Sequence, residues 1–235
     1  MPLVCGRFVS AALPGAIASY FETDPPELDL GTNMNVAPTN DVYGVIVGAD
    51  HHRLLRAFEW GLIPSWAKEA KIANHPINAR AETVVDKPAF RNSFAHRRCL
   101  VPMSGFYEWR PGDPAGPLTS RGVPVKQPFL IERADHQLLG VAGLWSAWRP
   151  PGCPESTPWR HTCTVITTDA NATVRPVHDR MPVLLDRQDW HEWLDPGNSH
   201  TRSLMSLLRP APEGLLQIRP VSPEVNSVRN RGPFW

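Results

Sequence analysis

Five short segments of the sequence place reactive or phosphate-binding side chains among Gly, Pro and aromatic residues, where a hydrophobic core has no use for them. The segments are Cys5–Phe8, Asn35–Thr39, Trp60–Trp66 with Ile77–Thr83, Gly105–Trp109 and His178–Pro182. Between them they supply a thiol, amides, a carboxylate, an imidazole and several guanidinium groups. Such a set suits covalent and acid–base chemistry on a substrate that carries phosphate.

In this order and with these spacings, the segments resemble the SOS-response-associated peptidase family. Members of this family process abasic sites, which are nucleotides without a base, and cross-link themselves to single-stranded DNA. The resemblance extends from Cys5 to Val225–Val228, nearly the whole chain. It implies a DNA-damage protein whose partner is single-stranded DNA containing abasic sites, built as a compact α+β domain around a barrel-like sheet.

The resemblance also implies roles for individual residues. The catalytic set consists of the nucleophile Cys5, the acid–base carboxylate Glu108, the catalytic histidine His178, and Asn78, which holds the oxygen of the sugar or aldehyde. The expected DNA-binding residues are the phosphate contacts Arg7, Arg80 and Arg180, together with Asn35, Pro38, Trp66 and Thr167. No cofactor is implied.

The chemistry of an N-terminal Cys supports this interpretation. An abasic sugar in its ring-opened form exposes an aldehyde, and the amine and thiol of an N-terminal Cys can close a thiazolidine ring on it. The amine attacks first to form a Schiff base, and an α-amino group with a pKa of about 7.7–8.0 is substantially neutral near pH 7, whereas Lys is not. The Schiff base also permits β-elimination, which is lyase activity. If Cys5 is not the nucleophile, Lys71 or Lys87 is the next candidate.

The surroundings of Glu108 and His178 favour proton transfer. Aromatic residues flank Glu108 on both sides, and we expect the resulting desolvation to raise its pKa. We expect His178 to protonate the sugar oxygen or to assist reversal, because His gains and loses protons near neutrality.

Structural alternatives remain open for the same residues. Glu108 can simply pair with an Arg, and His178–Arg180 can form an ion-pair cluster at the end of a strand. Asn78 can cap the start of a helix, with Glu82 shortly after it.

Met1–Val4 precede Cys5, so in the chain as written the α-amine belongs to Met1. We expect the mature protein to begin at Cys5. The route that we favour is a GTG start codon at Val4, followed by removal of the initiator Met. The alternative is that the protein cleaves its own Val4–Cys5 bond, as the family's name implies.

Net charge, cysteine spacing and hydropathy argue against a strongly basic protein, a zinc protein and a membrane protein. The net charge of +1 gives no global positive field, so DNA binding requires a local cluster of Arg. The four Cys form no CxxC pair or zinc-type spacing, and we expect no metal site. Without a membrane span or signal peptide, we expect a cytoplasmic monomer with reduced thiols.

The chain of 235 residues, 42% of them hydrophobic, predicts one globular domain over 1–235. We predict helices over Pro14–Phe21, Ala79–Val85, Asp189–Trp193 and Thr201–Leu208. Predicted strands are Val42–Val47, Arg53–Glu59, Cys99–Met103, Phe106–Trp109, Phe129–Glu132, Leu138–Leu144, Thr162–Thr167 and Pro182–Leu185. Pro111–Pro124 and Pro150–Pro158 are predicted surface loops. The fold class is therefore α+β, with a strongly curved, barrel-like mixed sheet and short peripheral helices.

Two other function classes share part of this pattern. A Cys-dependent autopeptidase or protease without a DNA role needs most of the catalytic residues but no track of Arg side chains. A non-catalytic module that binds single-stranded nucleic acid has no need of Cys5. A covalent adduct with abasic DNA that survives denaturation separates the first function from both.

Overall fold

The computed structural model describes residues 5–70 and 75–235. Expectations that concern Met1–Val4 and Lys71 therefore lie outside the described residues. In chain order the strands are β1 (Arg7–Ser10), β2 (Asn33–Val36), β3 (Asp41–Val47), β4 (Arg53–Trp60), β5 (Asn78–Arg80), β6 (Arg98–Met103), β7 (Gly105–Arg110), β8 (Gln127–Arg133), β9 (Leu139–Trp148), β10 (Arg160–Asp169), β11 (Arg180–Pro182) and β12 (Leu216–Pro220). The α-helices are α1 (Pro14–Phe21), α2 (Arg91–His96), α3 (Arg187–Leu194) and α4 (Thr201–Ser206).

Five of the strands close into a barrel. Antiparallel pairs join β4 to β3, β3 to β6, β6 to β9 and β9 to β10, and the parallel pair of β10 with β4 completes the ring. Two short strands, β5 and β11, pair with the C-terminal half of β10. A second, antiparallel sheet has the order β12-β8-β7-β1-β2.

Successive side chains of the barrel strands point to opposite faces and form two separate apolar clusters. Leu55 and Leu100 belong to a cluster that includes residues of α1, α2 and α3, so they face the helices outside the barrel. Phe58 and Val101 belong to the other cluster, which lies inside the barrel and continues onto Phe106 of the second sheet. The short helices therefore cover the outside of the barrel, and the second sheet covers its opening.

The predicted fold class is confirmed, as are α1 and most of the predicted strands, with bounds that differ by a few residues. Both predicted loops contain no strand or helix. The helix predicted over Ala79–Val85 is wrong at its start, because Asn78–Arg80 pair with β10 as a strand and only Ala81–Thr83 form a 3-10 turn. Strand β11 is Arg180–Pro182, whereas the prediction was Pro182–Leu185.

Neither a membrane span nor a metal cluster is found in the described chain. None of the helices outside residues 1–4 and 71–74 is long and apolar enough to cross a membrane. In the same residues, no group of three or more His, Cys, Asp or Glu side chains is arranged to hold a metal ion.

Candidate active site

The backbone nitrogen of Cys5 donates a 2.5 Å hydrogen bond to Oε1 of Glu108. Strand register explains this contact. Arg7 lies opposite Tyr107 and Phe8 opposite Phe106 in the antiparallel pair of β1 and β7, so the residues just before β1 run alongside Glu108. The structure thus brings together the predicted nucleophile and the predicted acid–base group at the atom that becomes the amine if Cys5 is first.

Glu108 is 1% exposed. Burial raises its pKa to about 8, and the hydrogen bonds from the backbone N–H groups of Cys5 and Trp109 offset only part of this effect. The expected direction is confirmed. At neutral pH Glu108 is therefore mainly protonated and is a proton donor, and it becomes an acceptor above about pH 8.

The Cys5 side chain is fully buried. Burial is the main cause that raises the pKa of its thiol, and the charge of Glu108 adds to it. Cys5 is consequently a thiol at neutral pH. Because the thiolate is the nucleophilic form, this thiol must lose its proton when the sulfur attacks an electrophile.

A hydrogen bond to His178 indicates which of its ring nitrogens carries the proton. Its Nδ1 accepts a 3.1 Å hydrogen bond from the backbone N–H of Arg180, so the neutral ring carries its proton on Nε2. Asp179 Oδ1 also lies 3.0 Å from Nδ1, a contact that suits a protonated ring instead. Burial lowers the pKa of His178 despite the opposing charge of Asp179, and we therefore assign the neutral ring. Nε2 is buried and has no hydrogen-bond partner in the described chain.

His178 and Glu108 have two charged neighbours in common. The charges of Asp179 and Lys126 act on the pKa of both groups. Lys126 is an exposed residue just before β8 and was not predicted to belong to the site. Nothing in its sequence neighbourhood marks it, because only the pairing of β8 with β7 brings it here.

Asn78 and Thr167 lie on neighbouring strands. Asn78 is opposite Val165, and Arg80 is opposite Thr167, in the parallel pair of β5 with β10. The alternative in which Asn78 caps a helix is wrong, since Asn78 is part of a strand. Thr167 is 1% exposed, and its hydroxyl donates a 3.4 Å hydrogen bond to the carbonyl oxygen of Ala79. The side chain of Thr167 therefore joins the two strands.

Arg180 is held by an ion-pair cluster. It contacts Glu82 through Nη1 at 2.7 Å and Nη2 at 2.9 Å, Asp169 at 2.8 Å, and the carbonyl oxygen of Thr167 at 2.7 Å. Burial alone favours protonated Glu82, but the hydrogen bonds and charge of Arg180 outweigh it and lower the pKa of Glu82. Both Nη groups of Arg180 are thus bonded to protein partners, whereas its buried Nε has no hydrogen-bond partner in the described chain.

Arg7 is held through its two terminal nitrogens. Its Nη1 donates to Oδ1 of Asn35 and to the carbonyl oxygen of Val225, both at 2.9 Å, and its Nη2 donates to the carbonyl oxygen of Asn226 at 3.3 Å. Asn35 is buried and also bonds to the carbonyl oxygen of Val225, so it links Arg7 to the chain near the C-terminus.

The remaining predicted DNA-binding residues lie at the surface. Pro38 is in the turn between β2 and β3, where Thr39 has a φ of 73° and donates its N–H to the carbonyl oxygen of Trp60. Trp66 is 63% exposed and, with Lys87, lines a surface cavity of about 650 Å³. Arg80 is exposed at the end of β5.

Several known proteins are similar to this chain in sequence. Residues 4–228 match the family described as SOS response associated peptidase. The abasic site processing protein YoqW of Bacillus subtilis is 38% identical over 232 residues, which cover 98% of this chain and 97% of YoqW. The abasic site processing protein HMCES of Gallus gallus is 36% identical over 204 residues, covering 77% of this chain and 56% of HMCES.

A solved structure supports the fold. A protein from Bacteroides thetaiotaomicron superposes with a TM-score of 0.80 at 24% identity, covering 97% of this chain and all of that chain. The family match spans every segment that carries a predicted catalytic residue. The chain belongs to the SOS response associated peptidase family.

Proposed function

We propose that this protein processes abasic sites in single-stranded DNA by linking itself to them through Cys5. The observation that carries the proposal is the 2.5 Å contact between the Cys5 nitrogen and the carboxyl group of Glu108. The names of relatives such as YoqW and HMCES, which are abasic site processing proteins, support the same substrate.

The reaction requires a free amine on Cys5. The amine adds to the aldehyde carbon of the ring-opened sugar, and loss of one water gives a Schiff base. The Cys5 sulfur then adds to the imine carbon while its proton passes to the nitrogen, which closes the thiazolidine. One water leaves overall, and neither oxidant nor reductant is consumed.

Glu108 moves the protons of this sequence. Its protonated form donates to the hydroxyl group that leaves as water, and the resulting carboxylate accepts the proton of the amine or the thiol. A pKa of about 8 makes both forms accessible near neutral pH. The contact with the Cys5 nitrogen makes the carboxyl group adjacent to each proton that moves.

His178 and Asn78 act on the sugar. The Nε2–H of neutral His178, which has no partner in the described chain, donates to a sugar oxygen and favours ring opening. Asn78 holds the aldehyde oxygen from the neighbouring strand β5. Arg7 and Arg80 contact phosphates, and the exposed face of Trp66 stacks on a base of the single strand.

The same residues serve two further activities in this proposal. Removal of a proton next to the Schiff base cleaves the DNA by β-elimination, which is lyase activity. In the precursor, attack of the Cys5 sulfur on the Val4 carbonyl carbon displaces the Cys5 nitrogen, and water then hydrolyses the thioester. Glu108 favours this peptidase step, because it lies 2.5 Å from the nitrogen that must leave with a proton.

A gel assay under denaturing conditions tests the proposal. Single-stranded DNA with one abasic site should give an adduct that survives heat in detergent. The same DNA after borohydride reduction of its aldehyde, and undamaged DNA of equal length, should give none. A wild-type protein with Cys5 first that forms no adduct would overturn the proposal.

A further inference from the structure

Asn35 joins β2 to the C-terminal segment, which we define as Val225–Asn230. Its side-chain Nδ2 donates to the carbonyl oxygens of Val225, Ser227 and Asn230, at 3.1, 3.0 and 3.0 Å. Its Oδ1 accepts the 2.9 Å hydrogen bond from Arg7. Because the residue is 2% exposed and both ends of its amide are occupied, it presents nothing to a bound strand of DNA.

The C-terminal segment is fixed independently of Arg7. Trp109 Nε1 donates a 2.7 Å hydrogen bond to Oδ1 of Asn226, and Asn230 Nδ2 donates a 2.8 Å bond to the carbonyl oxygen of Glu224. Phe234, farther along, is buried against Tyr107. Since Trp109 and Tyr107 flank Glu108 in β7, the segment is attached to the strand that carries the acid–base group.

These contacts leave one edge of the Arg7 guanidinium open. An Arg side chain has five N–H donors, and the described partners of Arg7 take both donors of Nη1 and one of Nη2. The remaining donors are Nε–H and one N–H of Nη2. Nε and Nη2 lie along the same edge of the guanidinium, and two donors on one edge can bind two oxygens of a phosphate.

We propose that Asn35 and the C-terminal segment orient Arg7 so that this open edge receives a DNA phosphate. Asn35 is thereby a positioning residue and not a direct contact with DNA, which differs from the DNA-binding role that the family resemblance implies for it. The inference rests on the proposed function, because it concerns the phosphate contacts of the same site.

A double-mutant cycle tests this assignment. Noncovalent binding to single-stranded DNA with a reduced abasic site should be measured against salt for wild type, Asn35→Ala, Arg7→Ala and the double variant. Both single variants should lower the salt slope by up to about 0.7, the loss of one phosphate on a single strand. Adding Asn35→Ala to Arg7→Ala should change neither the slope nor the affinity by more than about twofold.

The rate of adduct formation separates positioning from chemistry. Asn35→Ala should raise the DNA concentration needed for half-maximal rate several-fold, while the rate at saturating DNA stays within about twofold of wild type. The matched control is Asn198→Ala, which removes another Asn side chain that bonds to a backbone carbonyl, here Glu192, outside the proposed site. It should change none of these quantities.

Additive losses in the cycle would mean that Asn35 touches DNA by itself, and would overturn the inference while adduct formation by wild type leaves the proposed function standing. A measurement on wild type covers the case in which Asn35→Ala does not fold. In the DNA-free protein, the Arg7 Nη groups should show slow rotation and slow hydrogen exchange by ¹⁵N NMR. Fast averaging of these signals would likewise overturn the inference.

Discussion

Arg180 and Glu82 form two parallel hydrogen bonds, from Nη1 to Oε1 at 2.7 Å and from Nη2 to Oε2 at 2.9 Å. Because both Nη groups of Arg180 are bonded to Glu82 and Asp169 in this way, we expect Arg180 to contribute little to phosphate binding. Glu82 lies in the 3-10 turn after β5, Asp169 ends β10, and Arg180 begins β11. The bonds of Arg180 to Glu82 and Asp169 therefore join the ends of these three strands.

We predict that Arg180→Ala and Arg80→Ala have different effects. Arg80→Ala should lower the salt slope of DNA binding by about 0.7, the loss of one phosphate contact on a single strand. Arg180→Ala should leave the slope nearly unchanged and destabilise the fold by about 1–3 kcal/mol, because a buried guanidinium is removed and the buried carbonyl oxygen of Thr167 loses its hydrogen bond. Thermal unfolding and salt titrations measure both effects. The control Arg187→Ala removes a surface pair with Glu22 and should cost at most about 1 kcal/mol.

A second prediction concerns the pH dependence of adduct formation. The Cys5 amine reacts when neutral, above its pKa of about 7.7–8.0, whereas Glu108 donates a proton below its pKa of about 8. The rate should therefore pass through a maximum near pH 8. Glu108→Gln should slow adduct formation roughly 10²–10⁴-fold at that pH and abolish the decline on the alkaline side. A profile with the same alkaline limb in both proteins would assign that limb to another group.

The same carboxyl group should make stability depend on pH. An unfolded Glu has a pKa of about 4.3, so between this value and about 8 the unfolded chain loses a proton that the folded chain keeps. The contribution of Glu108 to the stability of the wild type therefore falls across this window. Glu108→Gln lacks the effect, and its melting temperature relative to wild type should rise from pH 4 to pH 8 and then level off. Calorimetry over pH 4–9 is the measurement, and a constant difference would contradict the raised pKa.

The sequence predicted some of these features and not others, for physical reasons. The raised pKa of Glu108 was predictable because its aromatic neighbours are adjacent in sequence. An ion-pair cluster over His178–Arg180 was one of the alternatives, but the partner of Arg180 was not predictable, since Glu82 is 98 residues away and meets it only through strand pairing. The same applies to Asn35 and Val225, which are separated by 190 residues. Local propensity also misassigned Ala79 and Arg80 as helical, because only the pairing with β10 makes them part of a strand.

The N-terminus of the reactive protein provides a fourth prediction. Because the ring includes the amine nitrogen of Cys5, only chains that begin at Cys5 should form the adduct. Intact-mass spectrometry of a partly processed preparation, before and after reaction with abasic DNA, should show that this species alone is consumed. Consumption of chains that begin at Met1 or Pro2 would show that another amine reacts.

The last prediction separates the amine of Cys5 from its thiol. Cys5→Ala with a correctly processed terminus keeps the amine, so it should form a Schiff base that borohydride traps. It cannot close the thiazolidine, and without reduction its adduct should disappear on heating. Strand cleavage by β-elimination should persist or increase, because the thiol no longer removes the imine. Glu108→Gln differs, because it should slow every adduct, with or without borohydride, while noncovalent affinity for single strands stays largely intact. A heat-stable adduct of Cys5→Ala without reduction would place the nucleophile elsewhere, with Lys87 at the Trp66 cavity as the first residue to replace.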